Sequence, residues 1–240
     1  MKNKLIGKTL QVLEFVSSSQ EPASLKAVAA EFGLAAGTLS RIVSDLCEYG
    51  LIEKFGYHHV RPSLGMIRLG QDAMMNSSLP RIVPPLIRSH AEALEAKGAF
   101  AGVHRLKLVY LYNSGNTVPG ALGLPYWEPV LRSRMAAAIL GTAYTADELD
   151  TLIGSGLGIA SDHPDMVFFH DNCRQVRANG YIAHREQGRG WSVNFPVMCN
   201  AKVYGVALFG KDTERHSLDR MIFETSLLTS RLTSALDEMR

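Results

Sequence analysis

The sequence predicts an α+β fold in two parts. Three observations carry it. Apolar residues recur at helical spacing, with short connections, up to Gly50. A short strand, turn and strand follow from Leu51 to Arg61. From Ala99 the period changes to alternation, and strands are then flanked by helices without a repeated βαβ unit.

Residues 4–18 read as a first helix with Ile6, Leu10, Leu13 and Val16 as its inner face. Glu21-Pro22 marks a loop. Ser24 is placed to cap a second helix, whose stripe is Leu25, Val28, Ala29 and Phe32. Gly33 stops it, and Leu34 to Gly37 form a tight connection. A third helix carries Leu39, Ile42, Val43 and Leu46 inward and ends at Gly50. Two short helices joined by a tight glycine-containing turn make a helix-turn-helix. The hairpin behind it, with Gly56 in the turn and Tyr57, His58 and His59 at the tip, makes it a winged one.

The outer face of the third helix is the informative one. Gly37, Arg41, Ser44 and Glu48 lie opposite the apolar stripe, flanked by Thr38, Ser40 and Asp45. A recognition helix reads base edges with its N-terminal residues. Here those are small hydroxyls and one arginine, with the acids confined to the later turns. That composition suits a major groove. Lys54, Tyr57, His58, His59 and Arg61 on the wing, with Lys26 on the preceding helix, are candidates for phosphate or minor-groove contact. The ordinary alternative is a helical hairpin inside an enzyme, with solvated serines.

Composition sets broad limits. The 240 residues suffice for two domains, and 46% hydrophobic content is that of an ordinary soluble globular protein. No apolar run approaches the roughly 18 residues of a membrane span. The N-terminus lacks a continuous apolar stretch with a cleavage site, so no signal peptide is expected. Cys47, Cys173 and Cys199 are odd in number and widely spaced, which fits a reducing cytoplasm. Net charge is +2, and the excess lies in residues 1–70, with eight basic against six acidic residues. Affinity of one site for DNA should therefore be modest, and a dimer would double the phosphate contacts.

Pro62 to Gly70 leads into a mixed segment, with Pro84-Pro85 suited to the first turn of a helix that runs to about Lys97 and closes at Gly98. Residues 65–85 read as the connector between the two parts. Ala99, Ala101 and Val103, then Leu106, Leu108, Tyr110 and Tyr112, alternate as strands do. A Gly/Pro-rich loop spans Asn113 to Pro125, and Glu128 to Leu140 reads as helical. Thr145 with Glu148 is a capping box opening a helix to about Ile153. A short helix is expected from Asp171 to Ala178. Strands are expected at Tyr181–Glu186, Trp191–Cys199 and Val203–Phe209. A final amphipathic helix carries Leu218, Met221, Ile222, Leu228, Leu232 and Leu236.

Other constellations carry no defined chemistry. Asp162, His163, Asp165, His170, Asp171 and Cys173 fit no metal-ligand template, and Asp171 suits a helix cap. Gly154, Gly156 and Gly158 lack the strand and lysine of a phosphate loop. Cys199 has no His/Asp partner placed by the sequence. No catalytic set, metal or cofactor is expected.

Several segments together resemble the isocitrate lyase regulator (IclR) family of bacterial transcription factors. They are GLAAGTLSRIVSDLCEYGLIEK, the PPLIRSHAEALEAKG helix, PVLRSRMAAAILG, and CRQVRANGYIAHREQGRGWSVNFPVMCNAKVYGVALFG. The resemblance runs nearly end to end. It implies a winged helix-turn-helix over 1–64, a linker helix over 65–98 and a GAF-like effector-binding and oligomerisation domain over 99–240. It also implies homodimers or homotetramers on a palindromic operator in double-stranded DNA, controlled by a small molecule and acting as a repressor of a metabolic operon. By position, Leu131, Met135, His184, Trp191, Ser192, Asn194, Ala207 and Phe209 would line the effector pocket. The chain departs from the family pattern where a basic residue and a serine often open the recognition helix. Ala36 and Gly37 stand there, so Arg41 carries more of the contact. A frequent histidine is Leu131, a Gly-Lys pair is Ala136-Ala137, and serines on the last strand are Ala207 and Phe209. The expected lining is more apolar and aromatic than a small keto acid needs, which points to a bulkier or aromatic effector. Two alternatives remain open. Trp191 and Phe209 fill the cavity of a constitutive DNA-binding protein whose second part only dimerises, or the second part is an enzyme.

Overall fold

The computed structural model describes residues 4–114, 127–160, 162–186, 190–210 and 217–238. The expected loop from Asn113 to Pro125 lies almost entirely outside them. The chain divides into two compact units, Met1–Ser77 and Ser78–Arg240, so the division falls inside the expected connector.

The first unit opens with α1, Lys4–Ser18. Its inner face is Val12 and Val16, with Leu13 and Phe15 half-buried. Ile6 and Leu10, expected inside, are exposed, as is Leu5. The two-residue strand β1, Ala23–Ser24, went unforeseen because two residues carry no period. Helix α2, Leu25–Phe32, is capped by Ser24, whose hydroxyl accepts from the Ala27 amide at 3.1 Å. Gly33 closes α2 at φ 56°, in the left-handed region that glycine adopts without cost.

Helix α3, Ala36–Glu48, starts earlier than expected, which puts Gly37 in its first turn instead of in the connection. Leu39, Ile42, Val43 and Leu46 are buried as the stripe requires. Strands β2, Ile52–Phe55, and β3, His59–Pro62, make the hairpin, and β1 pairs with β3 to give the order β1-β3-β2. The Leu25 amide also donates to the His58 carbonyl at 2.9 Å, which ties the wing to the start of α2.

Two helices occupy the connector. Helix α4, Leu64–Met75, begins beside Gly50, and a Cβ on Gly65 would meet the Gly50 carbonyl, so only glycine fits there. Helix α5, Leu79–Ala93, starts five residues before the expected Pro84, with Pro80 in its first turn. Pro84 and Pro85 therefore lie inside the helix. The carbonyls they leave without donors belong to Pro80 and Arg81, both exposed, where water can reach them. Helix α5 ends before Lys97, because Glu95 turns to φ 47° and Lys97 opens a strand.

The second unit is built on six antiparallel strands in the order β6-β5-β4-β9-β8-β7. They are β4 (Lys97–His104), β5 (Lys107–Asn113), β6 (Trp127–Pro129), β7 (Ile182–Glu186), β8 (Gly190–Cys199) and β9 (Lys202–Gly210). Leu106 sits in the β4–β5 turn at positive φ and not on a strand. A bulge opposite Phe100 and Ala101 turns Tyr112 to the other face from Tyr110. The segment expected as one helix from Glu128 is instead β6, a 3-10 turn at Val130–Arg132, and α6, Arg134–Ala143, capped by Ser133.

Helix α7, Ala146–Leu157, opens on the Thr145/Glu148 capping box and includes Gly154 and Gly156. The box holds the Glu148 carboxyl below its ordinary pKa through the Thr145 amide and hydroxyl. Helix α8, Pro164–Asn179, starts well before Asp171, because His163 caps it and Pro164 fits its first turn. Asp171 is thus mid-helix and no cap. Helix α9, Leu218–Asp237, closes the unit.

The sheet separates two cores. One face packs Ala99, Ala101 and Ala207 under α6 and α8, with Met135, Phe169 and Cys173. The other packs Phe100, Val193, Val206 and Leu208 against α5 and α9.

Candidate nucleic-acid interface and ligand site

The bare face of α3 is the main feature of the first unit. Gly37, Thr38, Ser40, Arg41, Ser44, Asp45 and Glu48 are all exposed. Arg41 is the one cation on α3. Ala35, in extended conformation before the helix, gives no side-chain cap. The first amide groups of α3 are left without intrahelical partners, and a DNA phosphate can take them. Thr38 and Ser40 can donate to base edges or phosphates, and Arg41 can reach a guanine edge in bidentate fashion. Asp45 and Glu48 would repel phosphate from the later turns, which leaves the N-terminal half as the part of the face compatible with a groove.

The other expected contacts are exposed as well: Lys26, Lys54, Tyr57, His58, His59 and Arg61. Tyr57 is 98% exposed at the wing tip. Arg61 is partly committed. Its Nε donates to Glu53 at 2.6 Å, and its guanidinium lies 4.8 Å from the Phe55 ring centre. The fixed Arg61 is available to a phosphate only in competition with Glu53.

In the second unit the expected effector residues divide. Register puts His184, Ser192 and Phe209 in one cross-strand row, and Asn194 beside Ala207 in the next. Directly opposed residues share a face. Leu131, Met135 and Ala207 are core residues under α6, and Phe209 packs against them. Trp191 does not join them. It lies on the opposite face, among Val193, Phe195 and Val197, with the Arg185 guanidinium 5.8 Å from its ring. Strand alternation between Trp191 and Ser192 made that separation readable in the sequence. A shallow hollow of about 470 Å³ lies elsewhere, on the outside of α7, and touches none of these residues.

The acidic, histidine and cysteine residues from Asp162 to Cys173 are spread along α8 and its start. His163 caps the helix, Arg132 donates to Asp165 at 3.1 Å, and His170 pairs with Asp150 at 2.8 Å. Arg174 pairs with Asp171. Cys173 is buried against the Ala137 carbonyl, and burial pushes its thiol up to about 12. Among the described residues no group of three possible ligands comes together. Burial, with Asp237 beside it, also raises the Cys199 thiol. Sequence reasoning missed a polar group between α5 and α9. His90, 5% exposed, has Nδ1 3.0 Å from Glu224 and Nε2 3.3 Å from Arg231. A lone histidine on an amphipathic helix gave no signal for it. No described helix is long and apolar enough to cross a membrane.

Comparison with known proteins agrees with the geometry. A family profile for the IclR helix-turn-helix domain matches residues 5–55. No curated protein matches the chain. Solved structures match nearly end to end. An IclR family transcriptional regulator from Brucella abortus is 20% identical with a TM-score of 0.76, covering 97% of this chain and 92% of that one. An Alicyclobacillus acidocaldarius transcriptional regulator is 14% identical with a TM-score of 0.69, covering 98% and 99%. An IclR homologue from Microbacterium hydrocarbonoxydans, solved with 4-hydroxybenzoate, is 14% identical with a TM-score of 0.62, covering 97% and 98%. Residues 5–55 therefore resemble an IclR helix-turn-helix domain, and the chain as a whole has the fold of solved IclR-family transcriptional regulators.

Proposed function

We propose that the chain is a ligand-responsive DNA-binding transcription regulator that represses a metabolic operon. The observation that carries this is the exposed, small and polar N-terminal half of α3, with Arg41 as its one cation. In this reading residues 1–64 bind DNA, 65–98 connect, and 99–240 sense a ligand and oligomerise. The partner is a palindromic operator bound by a homodimer or homotetramer. Exposed apolar residues support self-association: Leu5, Ile6 and Leu10 on α1, and Leu64, Ile67 and Met75 on α4. Helix α4 buries no residue at all within its own unit, and a twelve-residue helix is marginal without packing. A second copy of the chain would cover it.

The effector would sit under α6 against Leu131, Met135, His184, Ser192, Asn194, Ala207 and Phe209. The 4-hydroxybenzoate complex of the Microbacterium homologue supports a ring-bearing ligand. The ligand must bind one arrangement of the oligomer better than another to change DNA affinity. Close burial of Leu131, Met135 and Ala207 favours a second reading, in which the second unit only oligomerises. A mobility-shift assay on DNA upstream of the gene and its neighbours, with and without aromatic metabolites, separates the two. Specific retention relieved by a ligand supports sensing, and retention indifferent to all of them supports the second reading. Absence of specific retention overturns both. Turnover of a bound ligand by the purified protein would restore the enzyme alternative.

A further inference from the structure

The wing hairpin has two faces. Register sets Glu53 directly opposite Arg61 and Phe55 opposite His59. Alternation puts these four on one face and Ile52, Lys54 and Val60 on the other. Ile52 and Val60 are buried, so the face of Glu53, Phe55, His59 and Arg61 is the outer one.

Arg61 is held on that face from two sides. Its Nε donates to Glu53 Oε1 at 2.6 Å, and its guanidinium carbon lies 4.8 Å from the Phe55 ring centre. All three side chains stay exposed. The lysines and arginines expected at DNA are Lys26, Arg41, Lys54 and Arg61. Among the described residues the first three make no ion pair, and Arg61 alone does. An exposed pair of this kind adds little to stability. Its consequence is electrostatic. A carboxylate this close cancels the charge that would otherwise displace a counterion from DNA. To reach a phosphate, Arg61 must exchange one charge-assisted hydrogen bond for another, with almost no net gain. Glu53, once released, stays on the neighbouring strand directly opposite Arg61, where its charge opposes the same phosphate.

Resting on the DNA-binding reading above, we infer that Glu53 limits affinity. It silences Arg61, so the wing docks on a duplex without a phosphate contact from that side chain. Such a contact carries no sequence information. Silencing it lowers affinity for operator and bulk DNA by the same factor and leaves the reading of bases to α3. Restrained affinity suits a ligand-controlled protein. An effector changes affinity by roughly 5- to 150-fold, and it clears an operator only where the starting affinity lies within that reach.

The test is fluorescence anisotropy of the full chain on two duplexes, one from upstream of the gene and one of random sequence, over about 50 to 200 mM salt. Wild type is compared with Glu53→Gln, Arg61→Gln and the double variant. Glu53→Gln should tighten binding to both duplexes by about three- to tenfold near 0.1 M salt. The slope of log affinity against log salt should steepen by about 0.9 for each wing on the DNA, with the ratio between the two duplexes unchanged. Arg61→Gln should cost at least about threefold more in the Glu53→Gln background than in wild type, and the double variant should bind as wild type does. The pair is exposed, so the variants should melt with wild type. Glu53→Ser carries the same comparison if Glu53→Gln fails to fold.

An equal cost of Arg61→Gln in both backgrounds overturns the inference, because the two charges would then act independently. A double variant weaker than wild type does so too, because Arg61 would already hold a phosphate. A gain confined to one duplex would make Glu53 a reader of sequence and overturns it as well. If wild type retains DNA and Glu53→Gln binds no tighter, this inference alone falls. If neither wild type nor any variant retains a duplex, the DNA-binding reading falls and takes this inference with it.

Discussion

Helices α3 and α6 are of similar length and meet opposite fates. Helix α3, AGTLSRIVSDLCE, buries Leu39, Ile42, Val43 and Leu46 and leaves the rest of its surface uncovered. Helix α6, RMAAAILGTA, buries every residue from Met135 to Gly141. A helix apolar on all sides belongs inside a protein, and one with a clean polar face meets something outside its own fold. The difference assigns the two helices different tasks. Helix α6 is scaffold, clamped between the sheet and α8. Helix α3 is held by one side and offers the other.

The comparison can be broken first at the scaffold. Phe169 on α8 is fully buried in the α6 core, so Phe169→Ala should cost about 3–5 kcal/mol in urea unfolding. Loss of less than about 1 kcal/mol would mean that this core is not close-packed. A matched pair of glycines sharpens the contrast. A Cβ on Gly141 of α6 would lie 2.9 Å from Val176 Cγ1 and 3.1 Å from the Cys173 backbone. Gly141→Val should therefore destabilise by about 1–3 kcal/mol. Cys173, in the same crossing, adds a pH signature. Its thiol is held up at about 12 by burial, against an ordinary 9.0 in the unfolded chain. The stability this gives is full below pH 9 and is lost as pH rises from 9 toward 12. Urea midpoints of the second unit should fall between pH 8 and pH 10.5, and a Cys173→Ala variant should fall less. The smallest effect belongs to α3. A Cβ on Gly37 would meet nothing within 4 Å, so Gly37→Ala should stabilise the first unit by about 0.5–1 kcal/mol in thermal melts.

The same two helices show what was legible in the sequence. Helix α3 was readable because its apolar period is unbroken and its opposite face is polar. The strands from Ile182 to Gly210 were readable because they alternate, and Asn200-Ala201 mark the hairpin at positive φ. The start of α6 was not. Trp127 to Arg132 is apolar at mixed spacing, and only pairing with β5 makes Trp127–Pro129 a strand. The start of α5 was misplaced because proline usually marks a first turn, and Pro84 and Pro85 sit inside a helix that Pro80 had already opened. Ile6 and Leu10 were placed on the inner face of α1 because periodicity marks an apolar stripe without saying which of its residues the rest of the fold covers. On the sheet, position along the family pattern grouped Trp191 with Ser192, although alternation assigns neighbours to opposite faces.

The most direct measurement is the affinity of Arg41→Ala for a specific DNA fragment, set beside its melting temperature. Arg41 is exposed, so thermal stability should not move. Specific binding should weaken by about 1–3 kcal/mol while non-specific binding changes little. An unchanged affinity for the specific fragment would contradict the account, because the bare face of α3 would then not be the surface that meets DNA.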